Sequence, residues 1–297
     1  MDRAVRSSGT TTPQQAVQTA GRWAWWHGIA ALAMGTLVAV GILQAAHQAG
    51  GLPAGVSTLI IETCFVATTI LVARQCGPVR RQTFGLRRMA ITPGRAFLWM
   101  FLGIIGVAIA NAIYVALLGH VHLRRVYPSD FDKSEAIVLA IAVVIAAPIA
   151  EELLFRGFLY RSLRNRIGVV VAVAISATIF GVMHWWFGDP PELIFPRVSL
   201  GVVLAMLYER SGSLYPSIAL HVWVNLGLAG YLLPELRGAF GPVVLVSAFL
   251  AIAFSASDPR RKKFQRQPAP EPEPEAARFA RTPLDAPESA RHLAAGQ

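Results

Sequence analysis

Residues 136–163 read AIVLAIAVVIAAPIAEELLFRGFLYRSL, fifteen residues without a charge running straight into the adjacent carboxylates Glu151 and Glu152. A helix that crosses a bilayer needs about 20 mostly apolar residues, and this stretch is of that kind. The rest of the chain repeats the pattern. No Asp, Glu, Lys or Arg occurs between Arg22 and Glu62, between Arg95 and Arg124, or between Glu135 and Glu151. Of the 297 residues 54% are hydrophobic and 15% charged, against about 45–50% and about 25% in ordinary soluble domains. A typical cytosolic enzyme is therefore excluded. Charge-free windows predict eight spans, approximately 23–47, 55–73, 96–118, 136–159, 167–188, 193–209, 214–233 and 239–257. The expected fold is an all-α polytopic membrane protein, one bundle over 23–257 with an intramembrane polar site. Residues 1–22 form a cytoplasmic N-terminal segment. Residues 258–297 are a basic juxtamembrane stretch followed by a Pro/Glu/Ala-rich tail with the composition of disorder. The first span is too long for a signal-peptide core and is expected to stay in the mature protein.

Cytoplasmic loops are enriched in Lys and Arg. With the N-terminus inside, the cytoplasmic side takes 19 Lys and Arg, Arg156, Arg161 and Arg210 among them, and the other side takes five: Arg124, Arg125, Lys133, Arg197 and Arg237. Both termini are then cytoplasmic. The net charge of +10 is accounted for by juxtamembrane cations facing anionic lipid. Basic and aromatic residues are not interleaved as in nucleic-acid-binding motifs, so no nucleic-acid partner is expected. Cys64 and Cys76 are too far apart for a CxxC unit and read as packing residues. Residues 78–93, PVRRQTFGLRRMAITP, read either as an interfacial segment or as an ordinary basic loop.

Ionisable groups inside spans are costly, and each is a functional candidate. Glu152 and Arg156 are four apart in the favourable order and share a helix face, which leaves Glu151, about 100° round the helix, without a local partner. Taken alone, the two carboxylates also fit the watery end of a span. The fifth span places Phe180 and His184 four apart beside Trp185 and Trp186, and the seventh places His221 and Asn225 four apart. Singly, these read as an interfacial histidine and a helix-to-helix hydrogen bond. Together, a Glu and two His can polarise water directly, or hold Zn²⁺ with an open position for water, while an Asn amide suits a developing oxyanion. No HExxH is present. Ser176, Ser199 and Ser217 read as packing hydroxyls rather than nucleophiles.

In order, EELLFR (Glu151–Arg156), FGVMH (Phe180–His184) and HVWVN (His221–Asn225) resemble the CPBP family of intramembrane proteases. That family, also called Abi or CAAX-protease-and-bacteriocin-processing, carries EExxxR, FxxxH and HxxxN/B in that order. All seven motif positions match, and the likeness extends more loosely from the FGLRR stretch near residue 84 to about residue 255, with the protease-like core over about 136–255. What the resemblance implies is an endopeptidase acting near or within the membrane, as in the type II CAAX prenyl endopeptidase, which removes the last three residues after a prenylated cysteine. Carried over, Glu151 and His184 would activate water, His221 and Asn225 would support the oxyanion, and Glu152 with Arg156 would hold the site in place. The residues permit a metallopeptidase, since Glu151, His184 and His221 form a sensible zinc triad. Asn225 is a poor zinc ligand and favours the metal-free reading, so zinc stays an alternative and no other cofactor is expected.

The expected partners are the bilayer and a peptide or protein substrate, with or without a lipid modification. The Ala- and Arg-rich composition and compact loops suggest a bacterial inner-membrane protein, for which bacteriocin processing or self-immunity is an alternative to CAAX-type processing. The competing class is a non-enzymatic transporter or scaffold using buried Glu and His as a proton relay. One geometric tension stands out. At about 1.5 Å per residue His184 lies about 26 Å beyond Arg166, whereas Glu151 is about 15 Å from Arg161, so straight upright spans place them at different depths. Glu62 and Asn111 are intramembrane too, and are expected either to line a water-filled cavity or to pair with each other.

Overall fold

The computed structural model describes residues 23–118 and 132–230, with isolated positions at 233, 238, 241–243 and 245–246. The expectations for 1–22, for 258–297 and for nearly all of the span at 239–257 lie outside the described residues. Within them the chain is helical, with no strand, and the all-α polytopic architecture holds. In order come α1 (Trp25–Gln48), α2 (Ala54–Gln75), a single 3₁₀ turn at Arg81–Phe84, α3 (Pro93–Leu118) and α4 (Lys133–Ile167). Then follow α5 (Val169–Trp186), α6 (Ile194–Ser211) and α7 (Leu214–Ala229). Six helices, α1 to α6, are long and apolar enough to cross a membrane. The predicted seventh span appears as α7, with 16 residues.

α4 is the axis of the bundle, and half of its most apolar window is buried. Asp132 caps its start, with Oδ1 accepting the Ser134 hydroxyl at 2.6 Å and the Glu135 N–H at 2.9 Å. These bonds hold the Asp132 carboxyl below its ordinary range. The helix continues unbroken for 35 residues, overrunning the expected 136–159 at its far end. The expectation ended the span at 159 and put Arg161 on the cytoplasmic side, because a charge normally meets water. Arg161 is instead fully buried, donating to the Thr83 carbonyl with its guanidinium 5.8 Å from the Trp23 ring. Arg156 is likewise fully buried. Neither lies in a cytoplasmic loop, so both drop out of the charge count that set the orientation.

Two wide π-helical stretches, Ala142–Ala146 and Leu153–Tyr160, flank the carboxylates. Pro148 follows the first, and lacking an N–H it leaves a carbonyl one turn back without its helical donor.

Gly168, at φ +78°, is the sole residue between α4 and α5. A positive φ is open to glycine and strained for most other residues, so the chain reverses here within one position. α5 then packs on α6, and the approach is close. A Cβ on Gly181 would meet Val198 Cγ2 at 2.5 Å and the Ile194 carbonyl oxygen at 2.9 Å. Small residues at such a crossing let helix backbones come together. Gly181→Val is therefore expected to lower stability by about 1–3 kcal/mol through overpacking, read as a lower unfolding midpoint in detergent; an unchanged midpoint would mean that α6 shifts freely.

The basic stretch between α2 and α3 is strapped to the turn between α6 and α7. Ala90 N donates to Ser211 O at 2.8 Å, Leu214 N to Gly85 O at 2.9 Å, and Arg87 Nε to Gly212 O at 2.8 Å. Phe84, expected on an interfacial face, is turned inward against Trp23 and Phe158, with ring centroids 5.6 and 6.3 Å away. The three serines behave as packing hydroxyls. Ser176, Ser199 and Ser217 donate to the carbonyls of Phe155, Pro196 and Leu204 at 3.5, 2.8 and 3.1 Å.

Candidate active site

Glu151 lies seventeen residues before Gly168, and His184 sixteen after it. At about 1.5 Å per residue both sit about 24–26 Å from the same turn. The depth mismatch expected from the sequence thus disappears, because α4 runs on past Arg161 to Ile167. His184 Nε2 is 3.8 Å from Glu151 Oε1, and His221 Nε2 is 3.7 Å from Glu151 Oε2. All three motif-bearing helices therefore converge on one carboxylate.

The second carboxylate does different work. Glu152 Oε1 accepts from Arg156 NH1 at 2.6 Å and faces His221 Nδ1 at 3.1 Å, with Glu152, Arg156 and His221 at 0%, 0% and 1% side-chain exposure. Arg156 NH2 donates to the Gly201 carbonyl of α6 at 3.1 Å, and its guanidinium lies 4.5 Å from the centroid of the Phe180 ring. The i, i+4 pair read from the sequence is real, and Phe180 is the aromatic wall against it. An ionised carboxylate accepts only, so His221 carries a hydrogen on Nδ1, and in the neutral ring its Nε2 presents a lone pair to Glu151. The Phe180 carbonyl, 2.8 Å from His184 Nδ1, orients that ring the same way. Such partners at the far nitrogen set the tautomer.

Asn225 Nδ2 donates to the Val143 carbonyl at 2.8 Å, in the wide turn before Pro148. The second amide hydrogen remains to be given. Five buried side-chain atoms without a hydrogen-bond partner belong to this group: Glu151 Oε2, Glu152 Oε2, Arg156 Nε, His221 Nε2 and Asn225 Oδ1. Buried polar atoms are normally satisfied, and a cluster of exceptions around one point is what a site for water and substrate presents.

That point opens on a cavity of about 230 Å³ lined by Glu151, His184 and Asn225 with Phe65, Phe155 and Met183. His221 is 1% exposed and reaches the site through Glu151 Oε2 at 3.7 Å. The sequence reading missed one feature here. Arg197, assigned by charge counting to the far side, lines the cavity and donates from Nε to Asp189 Oδ2 at 2.8 Å. Glu62 lines it as well, as the cavity alternative for that residue had it. Asn111 does not pair with Glu62; its Oδ1 accepts from Ser199 Oγ at 3.4 Å. Only the i, i+8 spacing of Asp189 and Arg197 was visible in the sequence, too loose a signal to single out.

The donor set Glu151, His184 and His221 has the chemistry of a zinc site, with lone pairs converging. Its arrangement is more open. The separations of 3.7 and 3.8 Å exceed the ~3.3 Å edge of a tetrahedron built on bonds of ~2.0 Å. Among the described residues no group of three or more His, Cys, Asp or Glu is arranged to hold a metal ion.

Residues 133–227 match the family model described as type II CAAX prenyl endopeptidase Rce1-like, a range that holds all seven motif residues. The chain is 26% identical over 200 residues, 64% of its own length and 80% of the relative's, to YdiL of Bacillus subtilis (strain 168), by name a putative membrane peptidase. It is also 30% identical over 82 residues to the UPF0177 protein YxdF and 29% identical over 130 residues to the UPF0177 protein YbdJ, both of Lactococcus lactis subsp. lactis (strain IL1403). The matches span 28% and 40% of this chain, and 43% and 55% of those two relatives. No solved structure matches. The resemblance to the CPBP family of intramembrane proteases, read from three motifs, is thereby borne out.

Proposed function

We propose that this chain is an intramembrane endopeptidase that hydrolyses a peptide bond in a membrane-associated peptide or protein, with water activated between Glu151 and His184. The observation that carries the reading is the 3.8 Å approach of a carboxylate oxygen and an imidazole nitrogen at the wall of one cavity in an apolar bundle. Both atoms accept hydrogen bonds. A water between them gives one hydrogen to each and keeps a lone pair for the substrate carbonyl, the geometry general-base catalysis needs. Asn225 offers its second amide hydrogen to the oxyanion, and His221 joins it when both ring nitrogens carry hydrogen. Glu152 and Arg156 act as positioning residues, since Glu152 fixes the His221 ring from behind.

The apolar residues of the cavity wall, Phe65, Phe155 and Met183 among them, suit a substrate delivered from the bilayer, including a lipid-modified terminus as in CAAX-type processing. Cytoplasmic termini are the orientation favoured by the basic residues that remain in loops, and the Ala- and Arg-rich composition suits a bacterial inner membrane. Bacteriocin processing is the alternative within the same chemistry. A second reading, favoured by the converging lone pairs, has Glu151, His184 and His221 bind zinc. One experiment separates the two: metal content of the detergent-purified protein, with peptide-library cleavage followed before and after chelation. The expected result is Glu151-dependent cleavage that survives chelation. Stoichiometric zinc with chelator-sensitive cleavage would establish the metal reading, and no cleavage of any peptide, with or without zinc, would overturn the assignment as a protease.

A further inference from the structure

Glu62 belongs to none of the three motifs, yet among the described residues it is the carboxyl of the catalytic cavity with no salt-bridge partner. It is 6% exposed, lines the cavity with Glu151 and His184, and its Oε2 is buried without a hydrogen-bond partner. The other charged groups of the cavity are accounted for. Asp189 and Arg197 hold one another at 2.8 Å, and Glu151 has the two histidines. A carboxyl kept for packing or for helix-to-helix bonding has a donor on each buried oxygen; among the described residues this oxygen has none within hydrogen-bond reach.

The helices fix where Glu62 stands along the cavity. α2 and α4 touch where a Cβ on Gly55 would meet Leu139 N at 2.7 Å. Thr58, Glu62 and Phe65 of α2 then line the same cavity as Val143, Ala147 and Glu151 of α4, so the two helices run in the same direction. Counted from the Gly55 contact, Glu62 is seven residues along and Glu151 twelve, which places their backbones about 7–8 Å apart in depth. A peptide unit attacked by a water held at one carboxyl and shedding its amine toward the other needs two such groups set apart along one cavity, each within hydrogen-bond reach of it.

We infer that Glu62 is a second catalytic carboxyl, the acid that gives a proton to the leaving nitrogen. The inference rests on the endopeptidase reading above. An amide nitrogen leaves as an amine only if it gains a proton, and the Glu151/His184 pair has just taken one from water on the other side of the carbonyl. The role needs a group that holds its proton in the resting site, and an unpaired carboxyl out of water is such a group because its bare charge would be costly there. The water oxygen bonds to the carbonyl carbon as one water proton passes to the Glu151/His184 pair. The C–N bond then breaks as Glu62 gives its proton to the nitrogen, releasing the amine and the acid. The proton on the pair returns across the cavity to Glu62, and the site is reset.

The test compares an internally quenched peptide that the full-length protein cleaves in detergent with the same peptide carrying a thioester at the scissile position, whose thiolate leaves without a proton. Glu62→Gln is expected to lower kcat on the amide by about 100-fold with KM within a few-fold, and to lose no more than a few-fold on the thioester. Glu62→Asp, which keeps an acid one methylene shorter, is expected to recover part of the amide rate. Equal losses on both substrates, with or without a lowered unfolding midpoint, would show a structural role and overturn the inference. So would full amide activity in Glu62→Gln. A wild type that cleaves the thioester but no amide overturns the endopeptidase reading and this role with it.

Discussion

Glu151→Gln is expected to lower turnover on a peptide substrate by about 10³-fold or more, in the upper part of the range for loss of a general base, while the unfolding midpoint in detergent hardly moves. The substitution keeps the shape of the side chain. It removes the one property the mechanism uses, since an amide accepts no proton from the water shared with His184. Stability is spared because Glu151 Oε2 has no hydrogen-bond partner to lose and its nearest ring nitrogens are 3.7 and 3.8 Å away. Activity assays with calorimetry on the same preparation check both halves, and a fully active variant would remove Glu151 from the chemistry.

Arg156→Ala acts on the opposite property. Its expected cost is about 3–5 kcal/mol, the range for breaking a buried pair from one side. Glu152 would keep His221 Nδ1 at 3.1 Å but lose the 2.6 Å bond from the guanidinium, leaving a carboxylate under-compensated at 0% exposure. The Gly201 carbonyl of α6 would lose its donor and the Phe180 ring its cation. Replacing both partners, as Glu152→Leu with Arg156→Leu, should restore much of the stability, because an apolar pair of similar bulk needs no compensation. Activity should stay low in that double variant, since nothing then fixes the His221 ring. Recovery of stability and activity together would show that Glu152 does not position His221.

Much of the site was legible from spacing. Glu152 and Arg156, Phe180 and His184, and His221 and Asn225 are each four apart, and the first two pairs make contacts within their helices: Arg156 on Glu152, and the Phe180 carbonyl on His184 Nδ1. The apolar windows also located the helices, within a few residues at most ends. The exception, the far end of α4, was misread for a definable reason. A charge in a sequence is read as meeting water, while Arg161 meets a carbonyl 78 residues away at Thr83.

That contrast separates what the sequence by itself determined from what only the tertiary structure decided. Helix geometry is local, so the period of apolar residues and the i, i+4 pairs fix which residues are helical and which side chains share a face. The distance between Glu151 and His184 is not local. It depends on where a buried helix ends, and that depends on partners supplied from elsewhere in the chain and on a glycine that reverses direction in one residue. Glu62 shows the same limit. Its spacing relates it to no motif, and it joins the cavity only because α2 lies alongside α4, an outcome of packing across the bundle rather than of any pattern along the chain.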